Sequence, residues 1–167
     1  VSNRGMRFFS TLFVAISLWL VSNAEKPNIV IIFTDDQGYA DLGCYGSKTN
    51  KTPRLDQLAK EGTMFTSFYT QAVCGPSRSA LLTGRYPCRS KGWGMPAGEI
   101  TFAELIKGAG YQTACIGKWD VSNRKPIIDR MPNAQGFDYF FGALGANDPG
   151  TIKFHLNNEA TGTSKDM

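Results

Sequence analysis

The chain has 167 residues, of which 18 are Lys or Arg and 14 are Asp or Glu, giving a formal net charge of +4 at pH 7. Hydrophobic residues make up 42% of the chain and charged residues 19%, which is typical of a globular protein and excludes disordered and fibrous classes. So small an excess of positive charge does not favour nucleic acid or an anionic membrane as a partner.

Residues 1–24 have the features of a secretory signal peptide with a short upstream extension, Val1–Gly5. Met6-Arg7 opens a basic region, residues 8–21 are mostly apolar, and Ser22-Asn23-Ala24 is a small-x-small cleavage pattern. The apolar run is short for a membrane span of roughly 20 residues. We therefore predict export without a stable membrane span, to the periplasm or outside the cell, or to the lysosome in a eukaryote.

Residues 25–167 are predicted to form one domain. Cleavage after Ala24 would remove Arg4 and Arg7 and leave 16 basic against 14 acidic residues. No C-x-x-C spacing occurs, so a structural zinc site is not expected, and the sequence does not indicate which cysteines, if any, form disulfides. The cysteines are Cys44, Cys74, Cys88 and Cys115.

Strand-like and helix-like segments alternate along this domain, which predicts an α/β fold with a largely parallel sheet flanked by helices. Strands are predicted at residues 29–33, 64–69 and 113–116 from their β-branched and aromatic residues. Helices are predicted from Pro53 to Gly62, from Ser77 to Gly84, and from the capping box Thr101/Glu104 to Gly108 or Gly110.

Ligands of such sheets bind at the carboxyl ends of strands. The first predicted strand ends at Asp35-Asp36, two adjacent carboxylates whose repulsion a hard cation would relieve. Both can reach one ion only if the strand has already ended, because neighbouring strand residues point to opposite faces. Taken alone, the pair favours a solvated acidic turn over a calcium or magnesium site.

The segment Cys74-Gly75-Pro76-Ser77-Arg78 contains a proline that can begin a helix. Cys74 would then precede free backbone N–H groups that can hold an anion, with Arg78 adding positive charge. A buried or disulfide-bonded cysteine is the alternative.

The third predicted strand ends at Gly117-Lys118-Trp119, where Lys118 is placed to meet an anionic group or to be solvated. The segment is not a P-loop, because Gln112 stands at the first glycine position and Trp119 replaces Ser or Thr.

Taken together, these segments resemble the sulfatase family over about Lys26 to Gly142, with the alkaline phosphatase-like fold of that family, here incomplete. The similar segments, in order, are Asp35–Gly46, the C-x-P-S-R signature at Cys74–Arg78, Leu82–Arg85, Gly117–Trp119 and Gly136–Gly142.

The resemblance implies hydrolysis of sulfate esters. Cys74 would be oxidised to formylglycine by a formylglycine-generating enzyme, and Asp35, Asp36 and the modified Cys74 would hold a divalent cation, usually Ca²⁺, with Mg²⁺ as an alternative. Arg78 would orient the formylglycine hydrate, and Lys118 would bind a sulfate oxygen.

Two features depart from the family pattern. Asp120 follows Gly-Lys-Trp where sulfatases usually have histidine, and the single histidine, His155, is interpreted as structural or solvated. The chain also ends after about a third of a typical sulfatase, before the remaining metal ligands and a second substrate lysine. We therefore expect the N-terminal portion of a catalytic domain, without useful turnover by itself.

Two alternatives stay open. One is a phosphonate or phosphate monoester hydrolase of the same superfamily, and the other is an inactive truncated product with residual anion or metal binding. The identity of the sulfate ester is not indicated by these motifs.

Overall fold

This computed structural model describes residues 25–89, 94–145 and 150–165. The signal peptide predicted at residues 1–24 lies outside the described residues. The chain divides into two compact units, residues 1–38 and 39–167, and the helices and strands given below belong to the second. Within the described ranges, no helix combines the length and apolar character that crossing a membrane requires.

Helices α1 (Pro53–Glu61) and α3 (Phe102–Gly108) confirm the helix signals of the sequence. In α1, proline occupies the first turn, while the hydroxyl of Thr52 binds the side chain of Asp56 instead of capping the helix. In α3, the capping box forms as predicted, because Thr101 accepts from the Glu104 N–H and the Glu104 side chain accepts from the Thr101 N–H.

Helix α2 (Cys74–Thr83) is longer than predicted. It begins three residues earlier than Ser77, so that Cys74 is its first residue rather than a residue in the preceding loop. Gly84 ends it in the left-handed conformation at φ 65°, which glycine adopts without steric cost. Short 3₁₀ turns complete the helical structure at Tyr39–Asp41, Gly43–Tyr45, Ile128–Arg130 and Pro132–Gln135.

The sheet of the described chain has four strands in the order β1-β2-β3-β4. Strand β1 pairs with β2 in parallel, while the β2/β3 and β3/β4 pairs are antiparallel. The α/β class is therefore confirmed, with a mixed sheet in which one pairing is parallel. The strands are β1 (Ala114–Ile116), β2 (Tyr139–Ala143), β3 (Lys153–Leu156) and β4 (Glu159–Thr163).

Two predicted strands, at residues 29–33 and 64–69, do not form, and the predictions there were wrong. Their side chains are largely exposed, with Val30 at 81% and Phe68 at 67% of full exposure. A strand forms through ladder hydrogen bonds to a neighbouring strand, and neither segment belongs to the sheet of the described chain. Apolar composition alone was therefore not sufficient to predict a strand.

The buried core lies in the second unit, between α2, α3 and the β1/β2 edge. Trp119 and Phe137 meet edge to face with ring centroids 5.9 Å apart, and Phe102 packs on Phe137 in the same way at 6.2 Å. The members of this cluster are Leu82, Met95, Ala103, Trp119, Val121, Met131, Phe137, Phe140 and Leu144.

Gly142 in β2 lies against the backbone of Gly117, so closely that a Cβ at position 142 would overlap the Gly117 carbonyl. Gly117 itself has φ 107°, a conformation that favours glycine. This close approach positions the segment that follows β1.

Candidate functional site

Cys74 is the first residue of α2, after Val73 in an extended conformation. The N–H of Ser77 donates to the Val73 carbonyl at 3.2 Å and closes the first turn. The other N–H groups of a first helical turn have no partner within the helix, and the helix dipole adds partial positive charge there. The free thiol of Cys74, half-buried, therefore lies at an end of the helix that favours an anion.

The segment Gly117–Asp120 continues the parallel pairing beyond β1. The N–H of Trp119 donates to Ala143 O at 2.8 Å, and that of Asp120 donates to Leu144 O at 3.2 Å. Trp119 is buried, and its indole N–H donates to Arg130 O at 2.8 Å. These contacts fix the backbone that carries Lys118 and Asp120.

Two long-range hydrogen bonds join α2 to this segment. The thiol of Cys74 donates to Asp120 Oδ2 at 2.9 Å, and Nη1 of Arg78 donates to the carbonyl of Lys118 at 2.7 Å. Three of the residues predicted to form the site, Cys74, Arg78 and Lys118, therefore lie together. Asp120 is turned toward Cys74, and the sequence alone did not indicate its orientation.

The carboxylate of Asp120 is fully buried and is flanked by two cations. Lys118 Nζ lies 3.7 Å from Oδ2, and Arg124 Nε donates to Oδ1 at 3.0 Å. The Lys118 side chain is only 6% exposed. Burial of a charge is costly unless it is paired, so these contacts explain how a carboxylate persists here.

Arg124 was not predicted from the sequence to belong to the site. The only available signal was its spacing of four residues from Asp120, which is meaningful only where the chain turns back on itself. The chain does so here, because Asp120, Asn123 and Arg124 all have positive φ, at 55°, 54° and 56°. Such residues cost conformational energy and cluster at functional sites.

Asp35 and Asp36 lie in the first unit, at a bend, with Asp36 at φ 55°. Both are exposed, and they do not continue a regular strand. Adjacent carboxylates at a bend suit a hard cation, for which they supply oxygen ligands, although Ca²⁺ takes six to eight. No third His, Cys, Asp or Glu joins them in the parts of the chain that the structure describes.

The remaining cysteines differ from Cys74 in their surroundings. Burial raises the pKa of the Cys115 thiol to about 11, with the Arg78 charge opposing this in part. Cys44 is half-buried and Cys88 is exposed, and both are free thiols. The raised pKa keeps the Cys115 thiol protonated at neutral pH, and the protonated thiol is a poor nucleophile.

His155 is buried in β3, opposite Gly142 of β2. Desolvation lowers its pKa below the ordinary 6.5, a shift opposed by a hydrogen bond to the Lys153 backbone. Its position within the sheet agrees with the structural interpretation.

Comparison with known proteins identifies the family. A family model described as Sulfatase matches residues 27–165. Arylsulfatase A of Homo sapiens is 46% identical over 138 residues, covering 76% of this chain and 27% of that protein. Steryl-sulfatase of Homo sapiens is 42% identical over 138 residues, covering 71% of this chain and 24% of that protein.

A solved structure connected with the metabolism of multiple glycosaminoglycans by Bacteroides thetaiotaomicron is 35% identical. It superposes with a TM-score of 0.74, covering 83% of this chain and 32% of its own. The chain thus spans about a quarter to a third of the length of these relatives. With the family model matched over most of its length, the chain belongs to the sulfatase family.

Proposed function

We propose that the chain carries the nucleophile-bearing part of a sulfate ester hydrolase, with formylglycine made from Cys74 by a formylglycine-generating enzyme. The observation that best supports this proposal is the position of Cys74 at the start of α2, within hydrogen-bond distance of Asp120, while Arg78 of the same helix donates to the Lys118 carbonyl. The arrangement suits an anionic group that reacts at residue 74.

Once made from Cys74, formylglycine would supply, as its hydrate, a hydroxyl nucleophile toward sulfur, with cleavage of the bond between sulfur and the alcohol oxygen, and a second hydroxyl whose deprotonation would release sulfate and restore the aldehyde. Groups of this chain bind the sulfate group, orient residue 74 and stabilise negative charge. Lys118 donates to a sulfate oxygen, Arg78 orients residue 74, and the first N–H groups of α2 stabilise negative charge on the transferring group. The product alcohol leaves with a proton.

Asp35 and Asp36 are proposed to hold a divalent cation, with Ca²⁺ favoured because their oxygens are hard ligands. A bound cation would polarise the sulfate group as a Lewis acid. Titration calorimetry with Ca²⁺ tests this assignment: Asp35→Asn and Asp36→Asn should each weaken binding about tenfold or more, while Asp129→Asn, at an exposed site, should not.

Hydrolysis is tested with one aryl sulfate and one aryl phosphate on the full product of the gene, co-expressed with a formylglycine-generating enzyme. We expect aryl sulfate to be the better substrate. Cys74→Ala should abolish turnover, and the matched variant Cys88→Ala should retain it, since Cys88 is exposed and outside the signature. Faster turnover of aryl phosphate would instead favour a phosphate monoester hydrolase.

Export of the protein is proposed from the signal-peptide pattern of residues 1–24. N-terminal sequencing of the protein recovered outside the cytoplasm should begin at Glu25, after the Ser-Asn-Ala pattern.

A further inference from the structure

We propose that Arg124 is a positioning residue of the Cys74 site, which keeps a buried carboxylate beside residue 74 compatible with an anionic sulfate group. This inference rests on the proposed function and concerns a residue outside the sulfatase-like motifs of the sequence.

Arg124 lowers the electrostatic cost of an anion at residue 74. The fully buried Asp120 carboxylate accepts the Cys74 hydrogen bond, so a sulfate group at residue 74 would lie within a few ångströms of a negative charge. Like charges a few ångströms apart repel, and the repulsion is stronger in a buried site than in water. Lys118 and Arg124 flank the carboxylate and offset this repulsion.

Arg124 also orients the Asp120 carboxylate. The two oxygens of Asp120 have different partners: Oδ2 accepts from Cys74 and lies near Lys118, whereas Oδ1 accepts from Arg124 Nε. Arg124 therefore fixes the rotation of the carboxylate about its own axis. The left-handed backbone conformation of Asn123 and Arg124 turns the chain back, so that the Arg124 side chain reaches Asp120.

The environment of the Arg124 stem and of its turn supports the same role. A Cβ placed on Gly145 would lie 3.6 Å from both Cβ and Cγ of Arg124, so the aliphatic stem runs along a position without a side chain. Within the turn, Ser122 is fully buried and its hydroxyl has no hydrogen-bond partner among the described residues. Positive φ angles and a buried hydroxyl without a partner both cost free energy. Their presence in this turn indicates that tertiary contacts, such as that of Arg124 with Asp120, hold its conformation.

The test measures sulfate binding at Cys74 without requiring turnover. The 167-residue chain with unmodified Cys74 is alkylated with iodoacetamide, a neutral reagent, and Cys74 modification is followed by peptide mass spectrometry. Sulfate is titrated at constant ionic strength and pH, and the half-protecting concentration is recorded. This concentration does not depend on the intrinsic reactivity of the thiol, so variants can be compared directly.

Arg124→Gln should raise the half-protecting concentration about three- to tenfold, because one flanking charge is lost. Arg124→Lys should restore most of the protection, and Asp120→Asn should strengthen it. The double variant Arg124→Gln/Asp120→Asn should return to within about twofold of the wild type. The matched control is Arg54→Gln, an exposed arginine on α1, which should change nothing.

An unchanged value in Arg124→Gln, or a double variant no better than Arg124→Gln, would overturn the role of Arg124. Circular dichroism checks that each variant folds. If Arg124→Gln does not fold, the protection measured in Arg124→Lys and in Asp120→Asn tests the proposal instead. Failure of sulfate to protect wild-type Cys74 at all would contradict the proposed function itself, and with it this inference.

Discussion

Asp120 Oδ2 lies 2.9 Å from Cys74 Sγ, although the two residues are 46 positions apart. The position where sulfatases usually have histidine is therefore occupied by a side chain that reaches the signature cysteine. An Asp120 turned away from the site would have made this departure irrelevant, and the structure excludes that orientation. The chemistry at residue 74 must accommodate a carboxylate.

Asp120→His should raise sulfatase turnover at neutral pH by about three- to tenfold in the full product of the gene. A carboxylate repels the anionic substrate, whereas imidazole can donate a hydrogen bond to a developing oxyanion. About 1.4 kcal/mol of transition-state stabilisation is enough for tenfold. The measurement is kcat with an aryl sulfate, with Asp129→His as an exposed control. A rate within about twofold of the wild type would contradict the electrostatic argument.

Cys74 should be the only cysteine converted to formylglycine when the chain is co-expressed with a formylglycine-generating enzyme. It alone is followed by the Pro-Ser-Arg signature, and the remaining cysteines lack this context. Peptide mass spectrometry of all four cysteine-containing peptides measures the conversion. Cys88→Ser serves as a control and should be modified at Cys74 as in the wild type. Recovery of Cys74 intact, or in a disulfide, would show that the signature is not used.

Gly142→Ala should lower the free energy of unfolding by about 1–3 kcal/mol or prevent folding. The added Cβ would overlap the carbonyl of Gly117, and backbone on both sides leaves no flexible side chain to move away. Urea denaturation measures the change. Gly98→Ala is the matched control, because a Cβ there meets no atom within 4 Å, and its effect should stay within about 0.5 kcal/mol. Equal stabilities of the two variants would contradict the close approach.

His155 should make the folded state sensitive to mild acid. Burial lowers its pKa below the ordinary 6.5, so the unfolded chain binds the proton more readily than the folded chain. The stability that the neutral side chain contributes is complete above about pH 6.5 and is lost as pH falls from there toward the lower folded pKa.

The measurement is the thermal midpoint at pH 7.5 and pH 5.5. The wild type should lose more stability between these values than His155→Gln, whose side chain does not titrate. His155 is the only histidine of the chain, so this window reports on it with little interference. A parallel loss in both proteins would show that His155 is not the group responsible.

Local signals in the sequence were sufficient to predict that the three helices exist and to find the chemical motif, although α2 begins three residues earlier than predicted. The capping box at Thr101 and Glu104 and the proline and glycine that bound α1 act within a few residues, so the sequence determines them without reference to the rest of the fold. The order of the sulfatase segments likewise predicted the family that the comparison confirmed.

Strands could not be predicted to the same extent. Residues 114–116 form β1 because they pair with β2, whereas the strongly apolar residues 29–33 are not part of the sheet of the described chain. A helix makes its hydrogen bonds within itself, but a strand depends on a second segment, often one that is distant in the chain.

Only the tertiary structure decided how the Cys74 site is completed. The parallel pairing of β1 with β2 extends to Asp120, and the left-handed turn that follows returns Arg124 to the same carboxylate. The sequence by itself determined which chemical groups are present at Cys74, Lys118 and Asp120. Their distances follow from packing α2 against this strand end, because contacts between residues 40 and 46 positions apart depend on the fold of everything between them.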